Sequence, residues 1–185
     1  FASIKKEKNS KLCVEINREN TTLLWELIHI NLAYNSPLMG WFSSSVGFNT
    51  EIGRKDFDKL ALEYFQQTFK ETTITYAVQA LVQTFKYSPI GEDLRQFVSQ
   101  DTKGTSFQRL PYNDLSPEAV AYSLYKYAEQ KGIKMLRVSD LYRSEELCGV
   151  YREFGISKGE LQKKLRFLSS EKNRVLVAEL TMGLD

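Results

Sequence analysis

Apolar residues fall at helical spacing along much of this chain. In GRKDFDKLALEYFQQTF, Phe57, Leu60, Ala61, Tyr64 and Phe65 recur on one side, while Asp56, Asp58, Lys59 and Glu63 fall largely on the other. That pattern predicts an amphipathic helix. TTITYAVQALVQTFKY repeats it through Ile74, Ala77, Val78, Leu81, Val82 and Phe85, until Pro89 and Gly91 break the run. Upstream, NTTLLWELIHINLAYN offers Asn20 or Thr21 as an N-cap and Glu26 in its first turns. Its many apolar residues leave almost no polar face, so this helix is expected to be surrounded by protein. A short strand is expected around Lys11–Ile16, a short helix and loop in SPLMGWFSSSVGF, and one more short helix in PIGEDLRQFVSQ.

The pattern changes after DTKGTS, residues 101–106, a polar stretch with a glycine that reads as a linker. SFQRLPYN reads as an edge strand ended by Pro111. SPEAVAYSLYKYAEQKG has Ser116 as N-cap, Pro117 at the first helical position and Gly132 at the close, which predicts a well-delimited helix. IKMLRVS reads as a strand. Ser139 or Asp140 caps the next helix, which ends at Gly155, and Ser157 caps KGELQKKLRFLSSEK with Glu160 at capping-box spacing. RVLVAELTMG reads as a closing strand. Helix, strand, helix, tight turn, helix, strand is the order of a winged helix, although the closing stretch has room for only one long strand or a very tight hairpin. The expected fold is therefore mainly α: a helical domain with a short N-terminal strand over 1–100, then a winged-helix-like module over 107–185.

Composition narrows the function. With 42% apolar and 26% charged residues in 185, the chain has enough material for a real core. A net charge of +2 predicts no polyanion partner by itself, and its distribution is the better pointer to one. Residues 155–174 hold Lys158, Lys163, Lys164, Arg166, Lys172 and Arg174 against Glu160 and Glu171, so the remainder is slightly acidic. In a helix starting near Lys158, Leu161, Leu165 and Leu168 face the core, with Phe167 flanking. Lys158, Gln162, Lys163 and Arg166 then point elsewhere, and Lys164 lies near a boundary. Basic and amide side chains of this kind reach phosphates and base edges. Lys172 and Arg174 sit where a wing touches the DNA backbone. The expected DNA-binding residues are thus Lys158, Gln162, Lys163, Arg166, Lys172 and Arg174. The same face also fits a protein partner, or an ordinary solvated surface.

Little in the sequence advertises catalysis. His29 is the sole histidine and reads as a core residue, and Cys13 and Cys148 read as two separate reduced thiols. The usual zinc sets cannot be assembled from these, and no Walker A loop or GxGxxG is present. The acidic pairs in GEDL (91–94) and SEEL (144–147) are explained by helix first turns, where negative charge is favoured. The tyrosines Tyr122, Tyr125 and Tyr127 read as core packing with hydroxyls at the surface. No apolar run is long enough to span a membrane, and no signal peptide is visible. No catalytic residues, metal or cofactor are expected.

TTLLWELIHINLAYNSPLMGWFSS, QTFKYSPIGEDL and LSPEAVAYSLYKYAEQ…FGISKGELQKKLRFLSSEK together resemble a bacterial family known as domain of unknown function 4007. The resemblance covers most of the chain, although none of its patterns is an active-site signature. Members are associated with DNA phosphorothioation and related phage-defence gene clusters, often near phosphoadenosine-phosphosulfate-reductase-like genes. Members usually carry a further N-terminal segment, which agrees with a chain whose first residue is Phe1. The reduced cysteines fit a cytoplasmic protein, and the resemblance implies a role beside DNA-modification or defence machinery, with double-stranded DNA or a partner protein of that system as ligand. The leading expectation is a non-enzymatic DNA-binding or regulatory component. The alternative is a protein-interaction adaptor using the winged-helix-like module or the apolar helical domain.

Overall fold

The computed structural model describes residues 21–101, 105–173 and 175–178 in full, with the backbone of 3–6 and 12–15. Strands β1 (Ser3–Lys6) and β2 (Leu12–Glu15) pair antiparallel, and β2 falls where the first strand was expected. Helices α1 (Thr21–Asn35) and α2 (Pro37–Ser45) follow, with Ser36 capping α2 by accepting from the Met39 amide at 3.4 Å. Next come β3 (Glu51–Gly53), α3 (Arg54–Phe65), α4 (Glu71–Tyr87), β4 (Val98–Ser99) and β5 (Ser106–Gln108). Helices α5 (Pro117–Lys131), α6 (Val150–Phe154) and α7 (Lys158–Ser169) complete the described elements, with a 3-10 turn at Val138–Tyr142. The protein is mainly helical, and no helix among the described residues is long and apolar enough to cross a membrane.

Periodicity placed the helix cores well. Phe57, Ala61 and Phe65 of α3, and Ile74, Val78, Leu81 and Phe85 of α4, are buried as expected. Leu60 and Tyr64 of α3 are exposed instead, because the buried stripe is only one residue wide per turn. Helix α1 packs on α2, α5 and α6. Its most deeply placed residues include the polar Glu26 and His29, while Trp25, Leu27 and Ile28 are only partly covered. Glu26 is therefore no first-turn surface acid. Its carboxylate accepts the Ser116 amide at 3.2 Å, the Ser116 hydroxyl and the Tyr112 hydroxyl at 3.4 Å, so α1 supplies the negative charge at the N-terminus of α5. Ser116 stands at the N-cap position, but its hydroxyl serves Glu26 and not the helix.

Several local expectations are corrected. Residues 89–94 form turns, not a helix, because Gly91 doubles back onto the Phe85 carbonyl and Arg95 takes φ 58°. The expected edge strand is β5, which lies at the centre of an antiparallel sheet ordered β3-β5-β4. Its neighbours come from residues 51–53, where no strand was expected, and 98–99, which the hydrophobic pattern had assigned to a helix. IKMLRVS forms no strand: it is an exposed connection with Met135 89% exposed, leading into the 3-10 turn. The helix expected after Asp140 is helical only over Val150–Phe154. Consequently neither GEDL nor SEEL lies in a helix. Glu146 of the latter accepts the Tyr127 hydroxyl at 2.8 Å and pairs with Lys131 at 2.9 Å, a local structural role. Of the closing stretch, 175–178 is not a strand, and 174 and 179–185 lie outside the described residues.

Of the expected linker, 102–104 lie outside the described residues, Ser106 opens β5, and Asp101 accepts the Thr105 amide at 2.8 Å. Leu23 and Phe42 from the first half and Leu124, Phe154 and Leu165 from the second belong to one hydrophobic cluster. At its centre is Arg109, wholly buried and paired with no carboxylate among the described residues. Its guanidinium donates to the carbonyls of Phe42, Ser43 and Val46 (2.7–3.3 Å) at the C-terminal end of α2, and to those of Arg152 (2.8 Å) and Glu153 (3.2 Å) in α6. It also reaches Gln96 Oε1 at 2.9 Å. The Phe42 and Phe48 rings lie 4.7 and 4.2 Å from its carbon. Helix C-termini carry unsatisfied carbonyls and partial negative charge, so one cation serves two of them. Burial pulls the guanidinium down to about 9, which still leaves it charged at neutral pH.

Candidate nucleic-acid interface

The outer face of α7 is set by how its first turn is held. Gly155 ends α6 at φ 66°, and a Cβ there would press on the Phe48 ring at 2.9 Å, so both conformation and space call for glycine. Ile156 is fully buried, and its carbonyl accepts the Tyr142 hydroxyl at 3.0 Å. The Ser157 amide donates to Asn113 Oδ1 at 2.9 Å, and the Ser157 hydroxyl caps α7 by accepting the Glu160 amide at 3.3 Å. This is one half of the expected capping box. Glu160 does not reach back to the Ser157 amide but forms an ion pair with Lys163 at 2.6 Å.

Leu161, Leu165 and Leu168 are buried, and α7 packs on α5, as the spacing predicted. Rotation is thereby fixed. Lys158, Gln162, Lys163 and Arg166 are all exposed, Lys163 and Arg166 away from the leucine stripe, Gln162 beside it and Lys158 on its flank, and Lys164 is half-buried at the boundary. Lys158 places its ammonium 5.6 Å from the Tyr142 ring. Beyond α7 the chain turns back: Asn173 Nδ2 donates to the Phe167 carbonyl at 2.9 Å, and the Val175 amide to the Leu168 carbonyl at 3.0 Å. Tyr125 clamps the returning chain through the Val175 carbonyl at 2.7 Å. Lys172 is exposed within that turn. A 1.5 Å rise over the twelve residues of α7 separates its two ends by roughly 18 Å. Arg174 lies outside the described residues. Lys158, Gln162, Lys163 and Arg166 thus share one helix face, with Lys172 just past its C-terminal end.

Sequence reasoning missed three contributors. Phe167, expected beside the core, is 52% exposed next to Arg166. Asn113 and Tyr142 position the turn from distant parts of the chain, and no local pattern marks either. Gly159 is open: a Cβ there would meet nothing within 4 Å, so the backbone of the first turn is accessible to a ligand.

Elsewhere, His29 is fully buried in the core as expected, with its Nε2 3.0 Å from the Glu153 carbonyl. Burial pulls it down to about 3, so it is neutral, Nε2–H donates, and Nδ1 is left without a partner. Glu153 is buried with its carboxyl bonded to the Ser123 hydroxyl at 2.6 Å, and burial pushes it up to about 7. Cys148 is a free, half-buried thiol pushed up to about 12 by burial and by Glu146, while the Cys13 side chain lies outside the described residues. Tyr127 is buried with its hydroxyl on Glu146, whereas Tyr125 is 58% exposed. Among the described residues no three His, Cys, Asp or Glu side chains gather as a metal-holding group. Compared with known proteins, the chain matches no family model, no curated protein and no solved structure.

Proposed function

We propose that this chain is a non-enzymatic DNA-contacting or regulatory component, with the outer face of α7 as its contact surface. The observation that carries the reading is one helix side presenting Lys158, Gln162, Lys163 and Arg166 to solvent while three leucines lock the other side. Lysines and arginine at this spacing meet successive phosphates, and arginine and glutamine also have the donor geometry to read guanine and adenine edges. Lys172 adds a cation roughly one helix length away. The succession of α5, α6, a tight turn and α7 supports a winged-helix-like reading of this region. The resemblance to domain of unknown function 4007 supports a setting in a bacterial DNA-phosphorothioation or phage-defence system, and the free thiol of Cys148 fits a cytoplasmic one.

Binding to two otherwise identical short duplexes, one with phosphorothioate linkages and one without, tests this reading. A saturable affinity for either duplex supports a DNA-contacting role, and a preference for the modified one supports the phosphorothioation setting. A folded sample that binds neither at low salt overturns the proposal.

A second reading, a protein-interaction adaptor, is favoured by Phe167. An exposed aromatic beside cationic side chains is the composition of a protein hot spot. Phe167→Ala separates the two: it leaves duplex affinity nearly unchanged under the first reading and abolishes partner capture under the second.

A further inference from the structure

The two flanks of α7 carry different charges. Counting about 100° per residue, Lys163 stands nearly opposite the three buried leucines. Arg166, Gln162 and Lys158 follow on one side of it, about 60°, 100° and 140° round. Phe167 and Glu160 follow on the other, about 40° and 60° round. The Glu160 carboxylate lies 2.6 Å from Lys163 Nζ, so that flank would meet a phosphate with an anion and an exposed ring. The Lys158 flank continues onto another element. Lys158 Nζ is 5.6 Å from the ring of Tyr142, whose hydroxyl donates to the Ile156 carbonyl, and the next residue is Arg143. Its side chain is 64% exposed, but its backbone is fixed: Arg152 donates to the carbonyls of Arg143, Ser144 and Glu146 at 2.6–3.2 Å. The Tyr142 ring in turn lies 4.7 Å from that of Tyr151. The Arg143 guanidinium pairs with Asp140 at 2.9 Å and also lowers the pKa of the exposed Glu145. Exposed ion pairs are worth little, so exchanging Asp140 for a phosphate costs little.

Resting on the DNA-contacting reading of α7, we propose that the duplex lies towards the Lys158 flank, with Gln162 and Arg166 over the base edges, and that Arg143 makes a further phosphate contact beyond Lys158. Charge selects the flank. A phosphate is repelled by Glu160 on one side and met by Lys158 and Arg143 on the other. A major groove about 12 Å wide admits one helix and has a backbone on either side of it. Lys158 and Arg143 serve one backbone, and Lys163 reaches the other. The planar fork of an arginine suits phosphate oxygens, and phosphate contacts are what fix the orientation of a protein on the duplex. Contacts from one helix alone leave it free to roll in the groove. A cation on the separate 142–146 segment, tied to α6 through Arg152 and Tyr151, removes that freedom.

Fluorescence anisotropy of two short duplexes of unrelated sequence, titrated with the full chain across a salt series, tests the contact. Arg143→Ala should weaken binding to both duplexes by the same factor, about three- to tenfold, and flatten the slope of log K against log salt by about one unit. Circular dichroism should be unchanged, because the side chain is exposed and its pairing is with Asp140 alone among the described carboxylates. Arg143→Lys, which keeps the charge, should keep the slope. Asp140→Asn, which releases the guanidinium, should strengthen binding to both duplexes. A loss confined to one duplex would make Arg143 a base contact and overturn the proposal. So would binding that Lys163→Ala with Arg166→Ala weakens while Arg143→Ala and Asp140→Asn leave it unaltered, an outcome that keeps α7 as the contact helix. Absence of binding by the folded wild type would overturn both this contact and the reading on which it rests.

Discussion

Helices α4 and α7 are built alike on the inside and differently on the outside. Each buries a stripe at helical spacing, Ile74, Val78, Leu81 and Phe85 in one and Leu161, Leu165 and Leu168 in the other. Outward, α7 presents cations and an amide, whereas α4 presents tyrosines, glutamines and threonines with no charge between its ends. The inner stripe determines how a helix docks, and the outer one determines what the helix can meet. A cationic face exchanges counterions with a polyanion and so responds to salt. A neutral aromatic face gains by excluding water and responds little.

If both faces belong to one cooperatively folded body, its most sensitive point is Arg109, which ties α2 to α6. Arg109→Met leaves helix-end carbonyls of α2 and α6 buried without a donor. The expected loss is about 3–5 kcal/mol, or roughly 6–20 °C in Tm for a chain of this size. Both tryptophans, Trp25 and Trp41, lie in α1 and α2, so their fluorescence reports on that side of the molecule. Tryptophan fluorescence and far-ultraviolet circular dichroism should shift together in the variant. A fluorescence transition left in place while part of the dichroism melts earlier would show two separable bodies.

Glu153 gives the next largest effect and acts only on the α1–α5–α6 side, leaving both outer faces intact. Burial raises its folded value to about 7, above that of an unfolded glutamate. The folded state therefore holds the proton more tightly, and this contribution is fully present below about pH 4.5 and lost as pH rises through about 7. Glu26, also raised by burial, acts in the same direction. Stability should fall between pH 5 and 8, and Glu153→Gln should recover up to about 3 kcal/mol at pH 8 with little change at pH 5. Denaturant titrations at the two pH values check this, and a variant no more stable than wild type at pH 8 would refute it.

The sequence carried the helices and the α7 face because both depend on local period. Leu161, Leu165 and Leu168 determine which way Lys158 and Arg166 point, and that rotation can be counted from the chain. The β-structure was less legible. β3 and β4 are three and two residues long, too short for any alternation to register, and their partner β5 is distant from β3 in the chain. IKMLRVS has strand composition but finds no neighbouring strand among the described residues, and composition alone does not form a ladder. Arg109 was invisible for another reason. Its partners are backbone carbonyls, which every residue has, so no pattern of side chains announces the site. The neutrality of α4 was written in the sequence, but a search for basic patches passes over an absence of charge.

A smaller effect sharpens the α7 side. Gly159→Ala places a methyl in open space within an exposed first turn, and should stabilise the fold by about 0.5 kcal/mol. If the backbone there approaches a phosphate, the same change weakens duplex binding several-fold. Unchanged affinity would assign the contact to the side chains alone.

The most direct test of the central claim is fluorescence anisotropy of a short duplex titrated with wild type and with a Lys163→Ala, Arg166→Ala double variant across a salt series. Four exposed cations, Lys158, Lys163, Arg166 and Lys172, predict a slope of log K against log salt of about −4. The double variant should flatten it to about −2, with unchanged circular dichroism. Absence of binding at low salt, or a slope the double variant leaves unaltered, would contradict the assignment of α7 as the DNA-contacting face.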